Sequence, residues 1–354
     1  MKKRFIITIL AGLFIIPAFS QNPPQDKNWQ VVFVDDFNTF NTSRWYKEHN
    51  AVHGEYVYRN PKKRNEEPQV AIQENVYIEN GKIVVRTREQ SYPCPRGNNI
   101  LTCQYGGTHS YTSGIFLSQL RYRYGYFEIY AKLPGSDGYW PSFWLWHDCG
   151  AAGEPNACWK NEIDIFEVSG DIANTVESNA HWAFACPVDE KPNAISLGAT
   201  PHACNFASGY HWYGLEWDRD KITWYVDRKA VRQLKNDMEG FGIQHYLQII
   251  IGVGLRPASS DNPISPNSIF PDYMYVDQAS VYCLNCADKN VVVNEISNFN
   301  TFNYAVKKSI SMSSATTIPA GSDIYLRATD FIELKAGFEV PVGRELYLDV
   351  NPCQ

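Results

Sequence analysis

The sequence predicts an all-β protein built as a large two-sheet sandwich. Aromatic residues make up 14% of the 354-residue chain. Segments rich in Val, Ile, Tyr, Phe and Trp recur along its length, and no long stretch repeats apolar residues at helical spacing. In order, the strand-like segments are "WQVVFVDDF", "VYIENGKIVVRTRE" with its "NG" hairpin turn, "SGIFLS", "YGYFEIYAKLP", "YWPSFWLW", "NEIDIFEV", "SNAHWAF", "YHWYGLEWD", "KITWYVDRKAV", "YLQIIIGVG" and "MYVDQASVYC". Strands of this number, separated by turn residues, suit two packed sheets.

The ends read differently. "MKKRFIITILAGLFIIPAFS" has a basic start, a short apolar run and a small-x-small site at Ala18, Phe19, Ser20, so residues 1–20 read as a secretory signal. A membrane anchor is disfavoured because the apolar run is short and Pro17 interrupts its end, and no later stretch reaches spanning length. Beyond Cys286 the composition shifts. Trp disappears and short alternating pieces follow, "DIYLRATDF", "FIELKAGFEV" and "RELYLDV". Closely spaced short strands suggest a small stacked β module. The expected organisation is a signal at 1–20, a sandwich over 21–285 and a module over 286–354.

Charge and cysteines narrow the function. The chain has 32 basic and 38 acidic residues; Lys2, Lys3 and Arg4 leave with the signal, giving 29 basic residues and a net charge of −9. That balance argues against nucleic acid as a partner. Nine cysteines in an exported chain suggest disulfides. Cys94 with Cys103, Cys149 with Cys158, and Cys186 with Cys204 are close enough in sequence to close local loops. Cys283, Cys286 and Cys353 remain, and "CLNC" alone is a weak redox or zinc signal.

The stretch "KNEIDIFEVSG" sets Glu162, Asp164 and Glu167 in a run of Ile, Phe and Val. Residues two apart on a strand share a face, so Glu162 and Asp164 point together and Glu167 points away. A β-bulge at Ile165 and Phe166 would return Glu167 to their side. Like charges on one face raise one another's pKa, which keeps one carboxyl protonated beside an ionised one. Glycoside hydrolysis needs that division, with the retaining pair about 5 to 5.5 Å apart. Calcium ligands and a solvated sheet face are the competing readings.

"GYWPSFWLW" places Trp140, Ser142, Trp144 and Trp146 on one face and Phe143 and Leu145 on the other. Indole faces stack on sugar rings, so Trp140 and Trp144 are candidates for substrate contact, beside Trp packed in the core. His181 in "NAHW" is either a site residue or a core histidine. The chain has no "GxSxG" elbow, P-loop or "HExxH", and "GVGLRP" lacks the third glycine of a dinucleotide fingerprint.

Together, "NEIDIFE", "YGYFEIYAKLP", "GYWPSFWLW", "YHWYGLEWDRDKITWYVD" and "FPDYMYVDQASVY" resemble glycoside hydrolase family 16, in order, over roughly 250 residues. The resemblance implies a β-jelly-roll with a concave cleft and retaining endo-hydrolysis of β-linked glucans or galactans without a catalytic cofactor. It implies Glu162 as nucleophile, Glu167 as acid/base, Asp164 as their orienting neighbour, Trp140 and Trp144 as sugar-stacking residues, and His181 as a cleft histidine. It also implies a structural calcium, with Asp36 and Asp277 at its acidic positions, though Asp36 stands where Glu is common.

Laminarin-type β-1,3-glucan is the expected substrate. Marine galactans such as agar, porphyran or carrageenan are the alternative, and a non-catalytic polysaccharide-binding protein is the alternative of another class. "GVGLRPASS" replaces the family's "GGNWPG" segment and carries no Trp. Arg59, Lys62, Lys63, Arg64 and Arg256 are candidates for reading sulfate. The tail "FIELKAGFEVPVGRELYLDVNPC" resembles a small β-stack module of secreted Bacteroidetes proteins, implying a bacterial source and an attachment or spacer role; the chain as a whole is expected to be an extracellular monomer whose partner is a polysaccharide.

Overall fold

The computed structural model describes residues 23, 29–47, 68–94, 107–147, 160–169, 174–183, 194–218, 221–236, 246–258, 260–293, 306–312, 324–343 and 346–350. Their regular secondary structure is almost entirely strand. One sheet runs in the order β12 (Ala194–Ser196), β11 (Thr175–Ala183), β10 (Lys160–Glu167), β9 (Tyr139–His147), β17 (Leu247–Leu255), β7 (Ile115–Tyr122) and β2 (Trp45–Lys47), with β13 (Thr200–Ala203) also paired to β11. It carries the acids.

The opposing sheet runs β16 (Lys229–Lys235), β15 (Lys221–Val226), β14 (His211–Trp217), β8 (Gly125–Lys132) and β18 (Asp272–Val293). Onto β18 are paired β1 (Trp29–Asp35) and β5 (Lys82–Cys94); β5 in turn pairs β4 (Val76–Glu79) and β6 (Gly107–Ser113), and β6 pairs β3 (Gln69–Ala71). The "NG" turn joins β4 to β5 with positive φ at both Asn80 and Gly81, the backbone a tight hairpin asks for.

Period-two alternation fills the space between the sheets. Phe127, Ile129 and Ala131 from β8, Tyr213, Leu215 and Trp217 from β14, and Ile222, Trp224 and Val226 from β15 meet Phe143, Leu145, Ile163, Phe166, Ile249 and Ile251 from the acid-bearing sheet. Burial of each large apolar side chain contributes about 1.5 to 3 kcal/mol. An exposed ion pair contributes about 0 to 1 kcal/mol, so this core, not surface charge, holds the sandwich.

The boundary expected at residues 285 and 286 falls inside β18, which continues unbroken to Val293. Its far half pairs in parallel with β19 (Val306–Met312), followed by β20 (Ile324–Leu334) and β21 (Leu346–Val350). Ile310, Met312, Leu326 and Ala328 form a small core of their own there. No helix of the described residues is long and apolar enough to cross a membrane.

The cysteine reading needs one correction. Cys204 is a free, buried thiol and not the partner of Cys186. Its Sγ lies 3.8 Å from the Tyr213 hydroxyl, and burial pushes the thiol up to about 11, so it behaves as a packed apolar group. Cys283 is disulfide-bonded. The residue pairs Cys94 with Cys103 and Cys149 with Cys158 involve positions outside the described side chains, and the signal at 1–20 lies outside the described residues.

Candidate active site

The central strand β10 carries the acids because its register breaks where the sequence asks it to. Against β9, Glu162 faces Trp146 and Asp164 faces Trp144; the pairing then slips, so that Phe166 faces Phe143 and Glu167 faces Ser142. The same slip appears against β11, between Asp164 and Glu167. Ile163, Ile165 and Phe166 are buried, the first and last with no exposed surface. Directly paired residues share a side, so Glu162, Asp164 and Glu167 stand on the outer face of this sheet with Ser142, Trp144 and Trp146.

The bulge interrupts the hydrogen-bond ladder beside Asp164. Its carbonyl accepts instead from Trp224 Nε1, at 2.9 Å, reaching across the core from the opposing sheet. A buried carbonyl left without a donor would be unfavourable, so this indole supports the local geometry of the acid row.

Each acid has a distinct setting. Asp164 is almost fully buried, and its Oδ2 lies 3.1 Å from His181 Nε2. His181 therefore meets the middle acid, although in register it stands opposite Glu162. Glu167 is half-buried and accepts a hydrogen bond from Trp140 Nε1 at 2.9 Å. Burial first, and the neighbouring Glu162 charge second, raise its pKa; Arg256, His181 and the Trp140 N–H act in the opposite direction. The net effect favours a held proton on Glu167.

The expected tryptophans divide by role. Trp140 is half-buried beside Glu167, while Trp144 and Trp146 meet edge to face at 5.4 Å and pack with Leu117 and Ile250. Of these last two, Trp146 is buried and Trp144 keeps part of its surface. Residues outside the expected set join them. Glu177 and Asn179 on β11 face Glu167 and Asp164, and Arg256 lies over Trp140 with its guanidinium carbon 4.1 Å from the ring centroid. The spacing of "ESNAH", with Glu177, Asn179 and His181 two apart, is the signal that could have found the first two.

Donor atoms of Glu162, Asp164 and His181 lie within 4.8 Å of one another, close enough to hold a metal ion as well as to share a proton. The expected calcium residues are arranged otherwise. Asp277 is paired with the Lys82 ammonium, and Asp36 accepts from the side chain of Asn38 at 2.6 Å. Both expected carboxylates thus hold side-chain partners, and an ion would have to displace them. Arg59, Lys62, Lys63 and Arg64 lie outside the described residues.

Known proteins share this arrangement of strands. The family described as Glycosyl hydrolases family 16 matches residues 64–262, more than half of the chain. A curated relative, the glucan endo-1,3-beta-glucosidase A1 of Niallia circulans, is 29% identical over 73% of this chain. The chain spans 38% of that relative's length, well under two thirds. The kappa-carrageenase of Pseudoalteromonas carrageenovora is 26% identical over 65% of this chain and 58% of its own. Among solved structures, the catalytic domain of an endo-1,3-beta-glucanase (laminarinase) from Thermotoga petrophila RKU-1 superposes with a TM-score of 0.58. It is 26% identical, covering 72% of this chain and 98% of that one. The jelly-roll sheets, the ordered motifs and the extent of the match lead to one assignment: the chain belongs to glycosyl hydrolases family 16.

Proposed function

We propose that the protein is a secreted, endo-acting, retaining β-glycanase that hydrolyses a β-1,3-glucan of the laminarin type. The observation that carries this reading is Glu167, a carboxyl with raised pKa on the same face as Glu162. Glu162 attacks the anomeric carbon as the glycosidic bond breaks, and Glu167 gives its proton to the departing sugar oxygen. Glu167, now ionised, takes a proton from water as that water displaces Glu162 from the sugar. Asp164, tied to His181, orients the row, and Trp140 and Trp144 offer indole surface to sugar rings.

The names of the Niallia circulans and Thermotoga petrophila proteins support β-1,3-glucan. The carrageenase relative, with a guanidinium at Arg256 beside the acids, favours a galactan as the second reading. The apolar leader at 1–20 supports export, and the tail resemblance supports a small bacterial β module over 286–354. Action as a monomer belongs to the same reading. On this reading a structural calcium at Asp36 and Asp277 requires Lys82 to release Asp277.

Product analysis on laminarin, mixed-linkage glucan, agarose, porphyran and carrageenan tests the substrate. Short β-1,3-gluco-oligosaccharides are expected; galactan fragments alone would replace the leading reading with the second. Binding to a polysaccharide without cleavage of any would leave a non-catalytic binding protein.

A further inference from the structure

The segment "GVGLRPASS" departs from the family pattern by carrying Arg256 and no Trp, and its placement gives that departure a role. In register, Gly254 on β17 stands opposite Trp140 on β9. A Cβ at Gly254 would lie 3.6 Å from the Trp140 ring, so the indole rests against this stretch of backbone. Arg256, two residues further along, lays its guanidinium carbon 4.1 Å from the ring centroid.

The backbone is fastened as well. The Arg256 N–H donates to the Gly138 carbonyl at 2.8 Å, on the turn that launches β9. Gly138 has φ of +77°, and a Cβ there would lie 2.6 Å from the Ile264 backbone, so the turn admits little other than glycine. Arg256 Nε is buried with no hydrogen-bond acceptor among the described residues, and the guanidinium stacks on the Trp140 indole. A partly desolvated cation over an indole is a favourable and directional contact. The other end of the same indole donates to Glu167.

We propose that Arg256 is a positioning residue for the carboxyl of Glu167, acting through the indole of Trp140. The proposal rests on the reading of Glu167 as acid/base. The charged and titratable groups that face Glu167 are Glu162 and Asp164 on its own strand, Glu177 and His181 on β11, and Arg256 just past the end of β17. Arg256 and His181 oppose the rise that burial and Glu162 produce. Loss of the guanidinium therefore leaves Glu167 protonated to higher pH. An enzyme that works by that proton keeps its activity further into the alkaline range, while turnover falls because the indole and carboxyl are less well held.

The test compares the full chain with Arg256→Met, Arg256→Lys and Glu167→Gln. In the pH profile on laminarin, Arg256→Met is expected to move the alkaline limb upward and lower kcat by about ten-fold with KM little changed. Arg256→Lys restores the limb, since it restores the charge. Repeating Arg256→Met on a Trp140→Phe background shows a smaller further loss, because the intermediary is already gone. A 13C titration of the Glu167 carboxyl, assigned by its absence in Glu167→Gln, reads the same shift without substrate. An unchanged Glu167 titration in Arg256→Met, or full additivity with Trp140→Phe, overturns the proposal while leaving the acid/base reading intact. Normal turnover by Glu167→Gln would remove that reading itself.

Discussion

Both sheets bury carboxylates, and they do so in opposite ways. On the opposing sheet, Glu128 and Glu216 are each 2% exposed, as buried as Asp164. Glu128 accepts from the Tyr126 hydroxyl at 2.8 Å and from Arg228 at 3.4 Å; Glu216 accepts from the Tyr225 hydroxyl at 2.9 Å, with Lys221 at 3.6 Å. Arg228 is itself covered by Trp212, 3.8 Å from its ring centroid. Each of these acids has its own hydroxyl and its own cation. On the acid-bearing sheet, Glu162, Asp164 and Glu167 share one face, with Glu177 opposite the last; His181 meets Asp164, the Trp140 N–H meets Glu167, and a guanidinium stacks on that indole. Burial alone thus does not mark a site; crowding of carboxyls on one face does.

The largest effects should separate the two groups. Glu162→Gln and Glu167→Gln are each expected to lower turnover at least about a hundredfold, since an acid/base group contributes on the order of 10² to 10⁴. Glu128→Gln should leave turnover within about two-fold, because its carboxyl lies on the other sheet, behind the core. Initial rates on laminarin at several pH values check all three. Equal losses at Glu128 and Glu167 would erase the distinction drawn between the sheets.

A smaller effect tests how the acid row is supported. Trp224→Phe keeps most of the ring but removes the N–H that donates to the Asp164 carbonyl. About 1 to 3 kcal/mol of stability should be lost in urea unfolding, the usual effect of leaving a buried polar group unpaired. Turnover should fall as well, because the bulge that returns Glu167 to the common face loses its brace. Loss of stability with unchanged turnover would show that the bulge holds without this indole.

How far the sequence reveals the molecule depends on whether the determining contacts are local. The acid row was legible because face follows from position along a strand, and a single extra residue at Ile165 and Phe166 explains all three acids at once. Trp140, Phe143, Leu145 and Trp146 sorted to their two sides for the same reason. The supporting groups were not legible. Trp224 lies 60 residues beyond Asp164, and Arg256 follows a strand that pairs with β9 only in the folded sheet, so nothing in the spacing connects them. Cys204 misleads because closeness in sequence to Cys186 suggests a bridge, whereas the fold buries its thiol against Tyr213.

The pH dependence of stability offers a finer contrast. Burial outweighs Arg228 and Tyr126 at Glu128 and raises its pKa from 4.5 to about 7. The folded chain therefore holds this proton longer than the unfolded one. The stabilisation is complete below the unfolded value and is lost as pH climbs through 4.5 toward about 7. Glu128→Gln should flatten that slope in urea midpoints measured from pH 4 to 8, and Glu167→Gln should remove a further part in the same direction.

The smallest expected effect concerns Asp277, the third acid of the opposing sheet that comes with its own cation. Lys82 and Asp277 are each about one third exposed, 30% and 34%, so solvent screens the pair. Lys82→Met should change stability by about 0 to 1 kcal/mol. Because the ammonium already matches Asp277 and Asn38 engages Asp36, a chelator should leave Tm within about 1 °C of its value in calcium. A large fall of Tm on chelation, restored by calcium, would mean that the ion displaces Lys82 from Asp277. The matching of acids on this sheet by side-chain cations would then fail at Asp277.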